Sequence, residues 1–386
     1  MATRKWLGGV TARAQVSTIV VGGTVAINDT IVITIGYSSI TVTATSTSTS
    51  TTASQVQAAL SASTAPPEFR EVTWTVNSST VTGTAKTAGV PFVVSTTPSA
   101  SVTANVTDTV SATGPNFANV AANWNAATLP TTGDTIVAED DAPSILYGLT
   151  SNTDVFAKVS IESGFRNQIG LPEWNTGGYR EYRQRYWSIN TSAMEIGAGL
   201  GDRSPLLKFD LKATGTALVV YATGFQSSQD EAPVQIIGGS SATAVVLAGS
   251  VAFAPRADET AGFTSIKTGA GSNVQCGLGC THTTIQSEGT TEHANTVTNL
   301  NVRGGVCTSF GQAVNIDIDY GVVAYRSAST ITAATIGPGT LDCSDLRART
   351  ITTLTLRKGG MFVDPQRTAT IGTLAWGSDS DRLSAA

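Results

Sequence analysis

One short phrase recurs through the second half of the chain, and it constrains the fold more than any other feature. Alternating β-branched and small polar residues run for a few positions, close on a glycine, pass through polar residues and begin again. The runs close at Gly224, Gly249, Gly269, Gly289, Gly304, Gly321, Gly337, Gly359 and Gly377, as in Thr298–Gly304 (TNLNVRG) and Asn315–Gly321 (NIDIDYG). Alternation with period two puts one row of side chains on each face of a strand, and glycine tolerates the tight turn that follows. One strand and one turn repeating at this loose period describes stacked coils, in which each coil leaves its apolar face to be buried by its neighbours.

The chain therefore reads as mainly β. Residues 1–112 form a small β-rich N-terminal module with one helix, 113–150 a junction and cap, and 151–386 a parallel, right-handed β-helix (solenoid) with three faces per coil. A pair of β-sandwiches or jelly rolls is the alternative, and the regular glycine spacing argues against it. In the module, Val16–Val21, Thr30–Ile35, Ser39–Ala44, Val72–Val76, Thr80–Thr84 and Val90–Val94 are strand-like. Thr45–Thr52 reads as a linker. Ser54–Ala62 is the one helical stretch, with Ser54 as its cap, Val56, Ala59 and Leu60 on its face, and Pro66-Pro67 beyond its end.

Composition removes several classes of function. Only 13% of residues are charged, about half the usual share, and the net charge is -5. No basic stripe suits nucleic acid. No apolar stretch approaches the roughly 20 residues that span a bilayer, and no apolar core of a signal peptide follows Met1–Val10. Synthesis in a cytoplasm without a signal peptide, and no membrane partner, are the expectations.

Candidate chemistry is sparse. His282 and His293 are the only histidines, and no nucleophile elbow, phosphate loop or dinucleotide fingerprint occurs. Asp317 and Asp319 share one face of a strand whose other face carries Ile316 and Ile318. Such a pair could serve glycoside cleavage, but an outward pair is more often a solvated face. The acidic groups at Glu139–Asp141 and at Asp342 and Asp345 read the same way, and no catalytic residue is assigned. Cys276, Cys280 and His282 have a spacing that zinc would accept, with Cys307 or His293 available as a fourth ligand. Small buried thiols are the plainer reading, so neither a metal nor a cofactor is assigned.

The one break in the β rhythm lies at about 165–204. It gathers Trp174, Tyr179, Arg180, Tyr182, Arg183, Arg185, Tyr186 and Trp187 in a chain that is only 6% aromatic. Tyr, Trp and Arg carry much of the energy at protein interfaces, so these eight residues form the candidate partner-binding surface. Packing of the insertion on its own solenoid is the competing reading, followed by stacking on a glycan.

Asn123-Trp124, then Pro130, then Gly133-Asp134 leading into a β run, resembles the phrase that opens parallel β-helices in phage virion proteins and autotransporter-like adhesins. The resemblance implies that Trp124, Pro130 and Asp134 cap the coil stack. Thr30–Ala44, Ala53–Leu60, Phe69–Trp74 and Thr87–Phe92 resemble a small module of tailed-phage structural proteins. Together they imply a non-enzymatic virion protein, most simply a capsid decoration (cement) protein bound to the major capsid protein, often as a homotrimer. A tail fibre or receptor-binding spike that contacts host glycan, with or without depolymerase activity, is the alternative. A cell-surface adhesin is the second.

Overall fold

A computed structural model describes residues 2–99, 101–150, 153–198, 206–224 and 232–377. It is mainly β, with 53% strand and 6% helix, and consists of a small β-rich N-terminal module and a parallel β-solenoid of about 11 turns.

The solenoid is built on register. Ile136, Val159, Met194, Leu218, Ala244, Ile266, Ile285, Leu300, Ile316, Ala334 and Leu354 lie one above another as paired residues in successive parallel strands. Each is buried. Burying each of these Val, Leu, Ile and Met side chains contributes roughly 1.5–3 kcal/mol, and most of the covering comes from the coils above and below. From Cys280 onward each coil supplies two strands. Cys280–Ser287 pairs with Val297–Val302, and Thr290–His293 pairs with Val306–Ser309. The third face expected from the sequence is replaced by short irregular segments such as 294–296.

The solenoid also begins earlier than residue 151. Thr3–Lys5 pairs in parallel with Thr135–Ala138, which in turn pairs with Lys158–Glu162. The chain thus lays down the edge of the rod, leaves it to form the module, and returns. The interruption after Glu162 is also shorter than the sequence suggests, because Trp187–Ile189 and Ala193–Ala198 are solenoid strands again. The last part of the 165–204 segment lies outside the described residues.

The module consists of two antiparallel sheets. One has the strand order Val72–Asn77, Thr80–Ala85, Val16–Gly23, Val102–Val110. The other runs Ser38–Thr43, Thr30–Ile35, Val94–Pro98. Ile19, Ile31, Ile33, Ile35, Phe69 and Trp74 are central to its core. The helix spans Thr49–Leu60, so half of the expected linker is helical. Ser48 caps it by accepting a bond from the Thr51 amide, while Ser54 sits inside it, bonded back to the Ser50 carbonyl. Thr52, Ala53, Val56 and Leu60 form its buried face. Pro67 opens a second short helix, Pro67–Arg70, a position where proline's missing N–H is harmless.

Candidate contact site at the solenoid insertion

The base of the rod is closed by aromatic rings. Trp124 is buried and meets Trp6 edge-on, with centroids 5.1 Å apart. It also lies 6.4 Å from Trp187, which lies 6.2 Å from Phe209 in the coil beyond. The indole N–H of Trp124 donates to the Ala118 carbonyl, and that of Trp6 to the Pro143 carbonyl. Both rings therefore bury their area without leaving a donor unpaired. Asp134 ties the first strand to this base. Its carboxylate accepts from the Ala2 amide at 2.8 Å, from Arg4 Nε at 2.9 Å and from Thr131. The bond from Arg4, helped by those from Ala2 and Thr131, holds the carboxyl well below the usual range although burial opposes this. Pro130 lies beside Trp124 and Ile136 in the same wall. Trp6, which lies far from this phrase in the sequence, completes the cap, and no local signal marks it.

The insertion turns most of its aromatic and basic residues inward. Arg183 is its pivot. Its guanidinium donates to the Pro91 carbonyl at 2.6 Å, to Glu71 at 2.7 Å, to Glu181 at 3.0 Å and to the Tyr179 hydroxyl at 3.2 Å. It also lies 4.6 Å from the centroid of the Tyr182 ring. Glu71 and Pro91 belong to the module, so one side chain fastens the module to the rod. Tyr182 packs against the module core and over Gly36, where an added Cβ would lie 2.6 Å from the ring. Glycine is thus required there both for space and for its φ of +59°.

The other end of the insertion is fastened to the solenoid. Tyr186 donates from its hydroxyl to Gln235, and Arg185 pairs with Glu259 at 3.6 Å. Arg256 pairs with Glu173. Burial, and then the neighbouring Glu259, pushes the Tyr186 phenol far above its usual range, so it remains a donor. Tyr179, Tyr186 and Trp187 are buried, and Tyr182, Arg183 and Arg185 are half-buried. The expectation that all eight residues face a partner is corrected on these six. The polar tips of Tyr179, Arg183 and Tyr186 are bonded inside the chain, Tyr182 and Arg185 pack against the module and Glu259, and Trp187 belongs to the aromatic stack of the cap.

Trp174 and Arg180 do face outward. Trp174 is 64% exposed and stands across a short antiparallel bridge from Arg180. Arg180 lies 5.6 Å from the ring of Tyr37, itself 67% exposed and presented by the module's Thr30–Ile35/Ser38–Thr43 hairpin. Trp174, Arg180 and Tyr37 therefore make a patch that spans module and insertion. Tyr37 was missed because a lone tyrosine in a Gly-Tyr-Ser turn reads as turn chemistry alone.

Five of the carboxylates named from the sequence lie in ion pairs. Arg303 lies against both Asp317, at 3.2 Å, and Asp319, and Arg357 approaches Asp319 at 3.8 Å. A glycoside-cleaving pair needs open space for sugar between its carboxyl groups, and a guanidinium occupies that space here. Asp342 is held by Arg326, Asp345 by Arg347 and Arg349, and Glu139 by Lys5. The four cysteines are buried free thiols. Cys276, Cys280 and His282 present donor atoms within 4.8 Å of one another. No helix among the described residues is long and apolar enough to cross a membrane. No family model, curated protein or solved structure matches the chain.

Proposed function

We propose that the protein is a non-enzymatic structural component of a phage virion, a decoration protein that sits on the outer surface of the head and contacts the major capsid protein. The observation that carries this reading is the Trp174–Arg180–Tyr37 patch. It presents two large exposed rings beside Arg180, which is itself ion-paired with Glu173 and Asp258, on a junction that Arg183 ties to the module, so a partner would meet anchors already held in place. The ion-paired state of Asp317 and Asp319 favours a passive role over glycan cleavage. Placement on a virion rests on the resemblance of the Asn123–Asp134 phrase and of the module to tailed-phage proteins. A homotrimeric subunit follows from the same resemblance.

The test is binding of purified protein to particles that lack it. A Trp174→Ser/Tyr37→Ser double variant with an unchanged far-ultraviolet spectrum should lose attachment by at least about tenfold, as expected when central aromatic anchors are removed. Undiminished attachment would place the contact elsewhere and overturn the role of this patch.

A further inference from the structure

The lumen of the solenoid holds a cluster that the scaffold role does not use. Cys276 ends the strand Ala261–Cys276, and Cys280 begins Cys280–Ser287. The three-residue turn between them is pressed onto the coil below. An added Cβ at Gly277 would lie 1.9 Å from the Ala254 carbonyl oxygen, and one at Gly279 1.8 Å from that of Glu259. This turn folds the two thiols toward each other. His282, two residues along the same strand, shares the inward face of Cys280. His293 is the register partner of Cys276 in the next coil, and its ring lies 5.7 Å from that of His282, perpendicular to it.

Both histidines make the same kind of backbone contact. Nδ1 of His282 lies 3.1 Å from the Cys280 carbonyl oxygen, and Nδ1 of His293 lies 3.0 Å from that of Asn295. A carbonyl only accepts, so Nδ1 is the donor in each contact and Nε2 is the ring nitrogen left to meet another group. His282 is 6% exposed and His293 fully buried, yet neither Nε2 has a hydrogen-bond partner. Two unpaired bases beside two thiols in an apolar lumen are an unusual pair of orphans. A backbone carbonyl on one imidazole nitrogen with the other nitrogen left free is the arrangement that orients a metal-binding histidine.

We propose that Cys276, Cys280 and His282, with His293 from the next coil as fourth ligand, form a structural zinc site inside the solenoid. The donors of a tetrahedral zinc site lie about 3.5 Å apart, so side-chain rotation suffices to close the three that already lie within 4.8 Å. Two sulfur and two nitrogen donors select a thiophilic divalent ion over calcium or magnesium. On binding, each thiol releases one proton to solvent as its sulfur–zinc bond forms. The neutral imidazoles donate lone pairs, and no electron is transferred. A dication with two thiolates is neutral overall, which suits a site walled by Phe253 and Phe263. The ion would join consecutive coils, because His293 lies one coil on from Cys276.

The test uses the full chain, reduced and stripped with a chelator, then titrated with cobalt(II) alone. One equivalent should bind, giving a thiolate-to-cobalt charge-transfer band and the intense visible absorption of tetrahedral cobalt. One equivalent of zinc should displace both signals and raise the melting temperature. Cys276→Ser and Cys280→Ser should each lose the charge-transfer intensity of one thiolate, and Cys343→Ser should retain all of it. If a serine variant fails to fold, the wild-type cobalt spectrum decides by itself. A stripped, folded protein that binds neither ion, or that binds cobalt without the thiolate band, overturns the site. Loss of the band in Cys343→Ser does the same.

Discussion

At the scale of single residues, the glycines that announce the repeat have a sharper cause than turn-making. At one corner of the solenoid an added Cβ on Gly289 would lie 2.4 Å from the Gly269 carbonyl oxygen. One on Gly305 would lie 2.1 Å from that of Gly289, and one on Gly321 2.6 Å from that of Gly305. Each glycine makes room for the next, and Gly305 and Gly321 also have positive φ. The sequence pattern pointed to Gly304 as the closing residue, but a Cβ there would meet nothing nearer than 3.3 Å, so its neighbour Gly305 is the constrained one. Gly305→Ala should lower stability by about 1–3 kcal/mol from backbone strain alone, and Gly304→Ala by clearly less. Equal urea midpoints for the two variants would contradict the ladder. Asp134 gives a second residue-scale test. Its pKa is depressed in the folded state, so the unfolded chain takes up its proton first as pH falls. The stabilisation is complete above the unfolded pKa of about 4 and drains away below it. Asp134→Asn should cost about 2–3 kcal/mol at neutral pH, through loss of charged hydrogen bonds. The gap from wild type should narrow in thermal melts at pH 3, whereas a gap independent of pH would refute the assignment.

At the scale of elements, the insertion shows what a sequence can and cannot disclose. Its enrichment in Tyr, Trp and Arg was legible, because composition is local. Its direction was not, because the partners of Arg183, namely Pro91 and Glu71, lie 92 and 112 residues away. The helix was legible from the spacing of Val56 and Leu60, but its start was hidden, because Thr49–Thr52 looks like low-complexity linker and only burial of Thr52 and Ala53 draws it into the helix. The cap phrase was readable at Trp124 and Asp134 but not at Trp6 and Arg4, which reach the site through the long-range pairing of Thr3–Lys5 with Thr135–Ala138. If Arg183 couples module to solenoid, Arg183→Ala leaves Glu181, almost fully buried, without its cation. Breaking such a pair costs about 3–5 kcal/mol. Calorimetry should then resolve separate transitions for module and solenoid where the wild type gives a coupled one. A single transition, merely shifted, would argue that other contacts bind the two bodies.

At the scale of the whole molecule, Trp6, Trp124 and Trp187 seal the base of the rod, and the column of inward residues stays buried from Ile136 through Leu354. Along the rod, the solenoid's histidines and cysteines are turned inward and the acidic pairs on its outer face are matched by arginines. That arrangement is compatible with the mounted role proposed above. The proposal of a capsid decoration protein therefore stands or falls on where the molecule is found and in what number. Quantitative mass spectrometry of purified phage particles, with the major capsid protein as internal standard, measures this directly. A copy number that scales with the capsid lattice is the predicted result. A copy number matching a single tail, or absence from the particle, would contradict it.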